Sequence, residues 1–308
     1  MIKKIVYTFL LGLLALPSFS LAQEVKIFSL ADFDLKDSVK TCLVSTKYGK
    51  EEYDFNRKGL LIKSVTRYSD TDYDVVYYKY KDSMLLEKRS ETYRDNKFDP
   101  STSIAHFFEL DTTENRQVTE KIISYDKEFL DQYIYTYDEN GDLTKMVRTN
   151  NEGTDETLVE YKKYKGEFTI TYLLNEVPLK SIRTSTQKKN GNTQKVVLTK
   201  EFLKGEANKA YEEVFNPEGL LLAQQEFDYN EDKNKFVPTI RTTYGYDENG
   251  MLVEETKRGE NVLDKKEYIY QYDKESGGNW IKQIITPENA YTTRKITYYK
   301  SKEKKGKE

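Results

Sequence analysis

The sequence is most informative first in what it lacks. Its 308 residues contain one Cys, one His and one Trp. A single Cys excludes an internal disulfide and a multi-cysteine zinc site. A single His excludes a two-histidine metal centre and leaves at most one histidine-based acid or base. The formal net charge is −3, so nothing resembles the basic footprint of a nucleic-acid-binding protein. The paired lysines Lys162-Lys163 and Lys188-Lys189 are diluted by nearby acids. There is no Gly-rich phosphate loop and no Gly-x-Ser-x-Gly elbow. No extended stretch places apolar residues at helical spacing between capping residues. These absences point away from nucleotide chemistry, metal hydrolysis and α-helical folds.

The N-terminus reads as a secretory signal over residues 1–22. Lys3 and Lys4 form a positive region. Residues 5–16 are an apolar run, Pro17 ends it, and Ser20-Leu21-Ala22 is a small-x-small cleavage site before Gln23. The run is too short to span a bilayer, and no Cys follows the cleavage site to accept a lipid. The expectation is an exported protein, periplasmic or secreted, with no transmembrane segment after signal cleavage. Residues 23–300 are read as one β-hairpin repeat domain. Residues 301–308 are read as a charged disordered tail.

The abundant residue is tyrosine, with 26 copies among 13% aromatics. Many of these tyrosines belong to a recurring pattern: aromatic, Asp or Asn, two polar residues, Gly, any residue, Leu. Clear copies begin at Phe55, Tyr137, Phe215 and Tyr246. A late copy at Tyr272 carries an insertion and places Trp280 where Leu stands elsewhere. Degenerate copies begin at Tyr80, Phe108, Tyr164 and Gln187. The spacing is about 27 residues. Upstream of each aromatic the chain alternates, as in Tyr133, Tyr135 and Tyr137 or Tyr268, Tyr270 and Tyr272, which predicts strands. Asn216-Pro217-Glu218-Gly219 has the composition of a type I turn, and its Gly supplies the positive φ that returns the chain. Each unit is therefore a β-hairpin. Because a lone hairpin is marginal in water, neighbours must pair. The predicted fold is all-β: an antiparallel meander of about 8–9 hairpins, roughly 16–18 strands, forming an elongated twisted or curling sheet, a partial shell or a solenoid-like stack. Residues 95–130 and 165–210 fit the pattern worst, so an internal seam is expected there. An open sheet has two edges, which invite self-association.

Residues 135–143 and 244–252 carry a Tyr-x-Tyr-Asp lead-in and a Gly-x-Leu close. In this the sequence resembles the YD-repeat, or Rhs-like, group. Its two ends, around Phe33-Asp34-Leu35 and Gly278-Asn279-Trp280, resemble small exported proteins of Bacteroidetes-type bacteria. The resemblance implies a β-hairpin repeat fold and carries no catalytic residue across. In the large toxins of that group the hairpins build a hollow shell around a C-terminal cargo. Here only nine residues follow Tyr299, so no such cargo domain is expected.

No constellation points to catalysis, and no catalytic residue, metal ligand or cofactor is expected. Asp70-Thr71-Asp72-Tyr73-Asp74 opens like a calcium loop, but Val75 and Lys81 stand where Gly and Glu are needed. Glu212-Glu213 and Glu254-Glu255 are adjacent on strands and point to opposite faces, so neither is a hydrolase pair. Cys42 and His106 read as packed strand residues. The expected function is a non-enzymatic binding or scaffold protein of the bacterial cell envelope. An exposed tyrosine-rich sheet face, comprising Tyr78, Tyr133, Tyr135, Tyr244, Tyr268, Tyr270 and Trp280, would engage an envelope or secreted protein. The alternatives are a glycan-binding module, a carboxylate-based hydrolase, or a small β-shell that carries a cargo. No nucleic-acid partner is expected.

Overall fold

The computed structural model describes residues 26–113, 116–273 and 278–300. The expected export signal at residues 1–22 and the expected disordered tail at residues 301–308 lie outside the described residues. A short entry segment carries one 3₁₀ turn, Leu30–Phe33. Twenty strands follow. They are β1 (Val39–Thr46), β2 (Gly49–Phe55), β3 (Leu61–Arg67), β4 (Tyr73–Lys81), β5 (Met84–Arg94), β6 (Lys97–Asp111) and β7 (Gln117–Ser124). Next come β8 (Phe129–Tyr137), β9 (Leu143–Asn150), β10 (Gly153–Tyr164), β11 (Glu167–Leu174), β12 (Val177–Lys189), β13 (Asn192–Leu203) and β14 (Glu206–Phe215). The last six are β15 (Leu221–Asn230), β16 (Lys235–Tyr246), β17 (Leu252–Gly259), β18 (Val262–Tyr272), β19 (Trp280–Thr286) and β20 (Ala290–Tyr298).

Each strand pairs antiparallel with its sequence neighbours, and β1 also pairs with β20 through Cys42↔Ile296 and Val44↔Arg294. The meander is therefore a closed barrel. The expectation of an open, partial or solenoid-like sheet is corrected by this one ladder. The edges on which self-association was expected are paired with each other. No seam falls at residues 95–130 or 165–210, where the ladders β5–β6–β7 and β11–β12–β13 run on with only local bulges. The join is made instead between the two ends of the chain.

The repeat fixes the geometry. All nine pattern starts fall at or near the end of an even-numbered strand, so all nine turns lie on one rim. The nine turns join β2 through β19 in pairs. Only β1 and β20 are left, and they close the ring. The turn chemistry is repeated. Asn56 Oδ1 accepts the N–H groups of Lys58 at 2.9 Å and Leu60 at 3.1 Å; Asp138 Oδ1 accepts those of Asn140 and Asp142 at 2.8 and 2.9 Å. Those N–H groups hold the Asp138 carboxyl below its ordinary range. Gly59, at φ +78°, lets the chain reverse and lets Leu30 come close; an added Cβ would stand 3.2 Å from Leu30 Cδ1. The ladder register shifts at the pattern aromatic, as at Phe55, Tyr137, Phe215 and Tyr246, which marks a bulge beside each turn.

The wall is a single layer. Of the described residues, twenty-one hydrophobic and six polar ones are buried, and most of the rest are half-buried. The three apolar clusters join ladder neighbours: β1–β4 with β20, β7–β11, and β13–β15. None bridges opposite walls. At about 4.8 Å per strand, twenty strands have a perimeter on the order of 96 Å. A circular section then spans about 30 Å between backbones, before tilt widens it.

Candidate functional site at the inner wall and its strapped mouth

The ladder registers place side chains on two faces. One face carries Cys42, Tyr53, Tyr78, His106, Glu120, Tyr133, Tyr135, Met146, Tyr161, Tyr172, Glu213, Tyr244, Glu255, Tyr268, Tyr270 and Arg294. Side chains converge inside a closed sheet and diverge outside it, and although Val65, Val75, Val196 and Val214 on the other face are also buried, the inner face holds the desolvated phenols and carboxyls. On β18 the inward Tyr268 and Tyr270 are half-buried, whereas Leu263 and Ile269 on the other face are 77% and 53% exposed. Burial pushes the phenols of Tyr244 and Tyr270 up to about 12, Glu255 adding to the rise at Tyr244. It also raises the Glu213 carboxyl.

All six tyrosines expected to form a binding face lie on this inner wall, and Trp280 stands opposite Tyr272 at its rim. The face is not the exposed surface that was expected. Tyr135 and Trp280 are buried at 7% and 5%, and the other five are half-buried. The physical reason is closure, which turns one face of the sheet inward. Part of the tyrosine excess is structural. The Tyr80, Tyr161, Tyr246 and Tyr270 hydroxyls donate to the carbonyls of Leu61, Leu143, Leu221 and Leu252 at 2.7–2.9 Å. Each bond ties one hairpin to the strand start of the preceding turn.

Two polar groupings stand out on the inner wall. In the first, Glu120 is 8% exposed. Its Oε1 lies 2.7 Å from His106 Nδ1, and its Oε2 accepts from the Tyr135 hydroxyl at 2.8 Å. Phe108 stacks nearly parallel to the His106 ring. His106 is thus packed, as expected, but it is also oriented by a carboxylate that the sequence reading did not single out. Beside it, Arg148 pairs with Asp131 at 2.7 Å and lies over Tyr133.

The second grouping is at the mouth, on the rim of the repeat turns. Here residues 28–36 cross the inner wall over the β1–β20 join as a strap. Leu30 N–H donates to Gly59 O, and Leu61 N–H donates to Phe28 O. Asn279 holds both backbone groups of one strap residue: its Oδ1 accepts Lys36 N–H at 2.8 Å and its Nδ2 donates to Lys36 O at 3.1 Å. Arg294 donates to Phe33 O at 2.9 Å and Asp34 O at 3.4 Å, and its guanidinium carbon sits 3.4 Å from the Trp280 ring centroid. The strap's Phe28, Leu30, Phe33 and Leu35 fill the apolar cluster around Cys42, Val44 and Phe55. Burial pushes the Cys42 thiol up to about 11, so it is an inert core group. The sequence reading assigned no role to Arg294 or to Asn279, which it named only within the segment Gly278-Asn279-Trp280. An isolated Arg or Asn in a strand-rich chain gives no signal until the fold joins ends more than 240 residues apart.

The outer face differs. It carries ion pairs between adjacent strands around the barrel: Arg67–Glu52 at 2.7 Å, Lys121–Glu109 at 3.5 Å, Arg183–Glu167 at 3.5 Å and Lys265–Glu254 at 3.1 Å, with Arg89–Glu87 and Lys145–Glu156 besides. Among the described residues no cluster of His, Cys, Asp and Glu has the arrangement of a metal site.

No family model matches this sequence, and no curated protein matches it. Among solved structures, the chain is similar to a porin-like protein from Bacteroides uniformis, with a TM-score of 0.33 and 10% identity, covering 85% of this chain and 98% of that one. A porin-like protein from Bacteroides vulgatus gives a TM-score of 0.24 at 9% identity, covering 85% and 99%. A TcdB2-TccC3 structure without its hypervariable C-terminal region gives 0.21 at 11% identity, covering 80% of this chain and 18% of that one. These likenesses are too distant to carry a functional argument. The resemblance to the YD-repeat, or Rhs-like, group is not upheld. No family model matches the chain, and the repeats close into a twenty-strand barrel rather than the partial shell or solenoid-like stack that was expected. The short turn pattern that suggested that group is accounted for by hairpin chemistry alone.

Proposed function

We propose that this chain is an exported, non-enzymatic envelope barrel that stands in water and binds its partner from the inside. One observation carries the reading: Lys and Arg side chains stand on the outer face around the ring, at Arg67, Lys121, Lys145, Arg183 and Lys265, whereas the tyrosines expected to bind, with charged groups such as Arg148 and Glu255 among them, stand on the inner one. A lipid-facing barrel wall has the opposite arrangement, because each Lys or Arg at the bilayer midplane costs about 2–4 kcal/mol. The tyrosines offer rigid amphipathic contact area of the kind interfaces use. Since they face inward, the partner is an extended segment of an envelope or secreted protein rather than a flat surface. The cargo-carrying shell is the second reading, favoured by closure of the sheet.

The test is a cross-linked pull-down of tagged residues 23–308 from the native envelope, run beside the inner-face variant Tyr244→Ala/Tyr268→Ala and the outer-face variant Lys265→Ala. A protein enriched by the parent and the outer variant but lost from the inner variant supports the reading. Equal loss from both variants, or enrichment indifferent to the inner face, contradicts it.

A further inference from the structure

We infer that Arg294 and Trp280 form a carboxylate-binding site whose place is taken, in this structure, by the chain's own strap. The inference rests on the proposed reading that the inner wall binds ligands, and it names the ligand class at the mouth: an apolar chain ending in a carboxylate.

Arg294 is an inward guanidinium on β20. It has no ion-pair partner among the described residues, and its hydrogen bonds go to two neutral carbonyls, Phe33 O and Asp34 O. Burial pushes its pKa down, with Cys42, Asp34 and Tyr53 working against that. Asp34 belongs to the strap itself, and its carbonyl, not its carboxylate, reaches the guanidinium. A desolvated cation served by neutral acceptors is under-compensated, and a carboxylate matches its planar fork far better.

The second observation brings in a neutral group, Trp280. Among the described residues, two buried side-chain polar atoms have no hydrogen-bond partner: Trp280 Nε1 and Arg294 Nε. They belong to side chains stacked against each other. Trp280 is only 5% exposed, so leaving its N–H without an acceptor is costly. The Trp280 N–H and the Nε–H of the guanidinium stacked on it are both unsatisfied, and together they call for an anionic acceptor with two oxygens.

The strap shows what else the ligand carries. Its aromatic and aliphatic side chains fill the wall cluster, and Asn279 bonds both the N–H and the carbonyl of Lys36. A ligand with an apolar body and a terminal carboxylate reproduces the strap's contacts and adds the missing charge. Strap and ligand occupy the same place, so binding of one releases the other.

The protein's single Trp reports directly on the site. The full chain would be titrated with N-acetyl-Phe-Leu as the free acid, with the same dipeptide as its C-terminal amide, and with decanoate. The expected result is a saturable change in Trp280 emission, with the free acid at least about tenfold tighter than the amide. Hydrogen exchange of residues 28–36 rises on binding. Arg294→Gln abolishes the acid–amide difference, and Arg294→Lys, which keeps charge but not the fork, narrows it. If Arg294→Gln does not fold, the acid–amide comparison on the parent chain decides alone. Decanoate matching the dipeptide acid supports the site with a lipid-derived source; dipeptide alone supports a peptide terminus. Acid and amide binding alike would overturn the carboxylate site while leaving inner-wall binding standing. No saturable response to any probe would overturn it outright, and binding without strap release would overturn the exclusion.

Discussion

Val118 and Thr119 are consecutive residues of β7 and lie in different environments. Val118 faces inward at 1% exposure, packed against Tyr135 and Val159. Thr119 faces out, beside the Lys121–Glu109 pair. The same contrast runs around the ring: tyrosines, Glu120 and Arg294 inside, exposed ion pairs outside. It teaches that a single-layer barrel has two kinds of surface set by a period of two, and that which one is apolar decides which medium the wall can stand in. Here the tyrosine-rich surface is the inner one, and the outer one sets exposed ion pairs beside aliphatic residues such as Val65, Val75, Val196 and Val214.

The strongest way to break that contrast is to move one charge across one residue. Val118→Asp places an unpaired carboxylate inside and is expected to cost about 4 kcal/mol or more, whereas Thr119→Asp stays within about 0.5 kcal/mol. Urea midpoints of the two variants measure this directly, and equal shifts would erase the distinction between faces. Next in size is Glu120→Ala, which strands the His106 and Tyr135 partners and should cost about 2–3 kcal/mol by the same assay. An unchanged midpoint would show that the inner network is not formed.

Alkali sharpens the comparison further. Burial raises the Tyr244 and Tyr270 phenols to about 12 in the fold, above the ordinary value of 10.0. Their neutral forms therefore stabilise the fold fully below pH 10, and that contribution is lost as pH rises from 10 through 12. Absorbance of tyrosinate should lag in the folded chain and catch up as it unfolds. Ionisation of every tyrosine near pH 10 with the fold intact would contradict the buried inner wall. The smallest effect belongs outside. Lys265→Ala removes two exposed contacts, to Glu254 and Glu267, and should change stability by no more than about 0.5 kcal/mol. A loss above about 2 kcal/mol there would mean the outer face is not solvated.

Much of the hairpin pattern was legible in the sequence. The turn copies beginning at Phe55, Tyr137, Phe215 and Tyr246 predicted both the reversals and the alternating strands around them, because Asp or Asn, Gly and a following Leu act locally. Even the degenerate copies at Tyr80, Tyr164 and Gln187 fall on turns. Closure was not legible. It depends on Val39–Thr46 meeting Ala290–Tyr298, neither of which carries the pattern, and on the sum of small twists over twenty strands. Without closure the tyrosine face was read as exposed. The same gap hid Arg294, Asn279 and Glu120, whose importance lies in partners brought to them by the closed ring.

The most direct test of the account is whether the mature chain, purified without detergent, enters a bilayer. The account predicts a soluble protein that stays with the aqueous fraction when floated with liposomes and produces no conductance across a planar lipid membrane. Co-flotation with the lipid together with stepwise conductance would contradict it, since the ion-paired outer face would then be facing hydrocarbon.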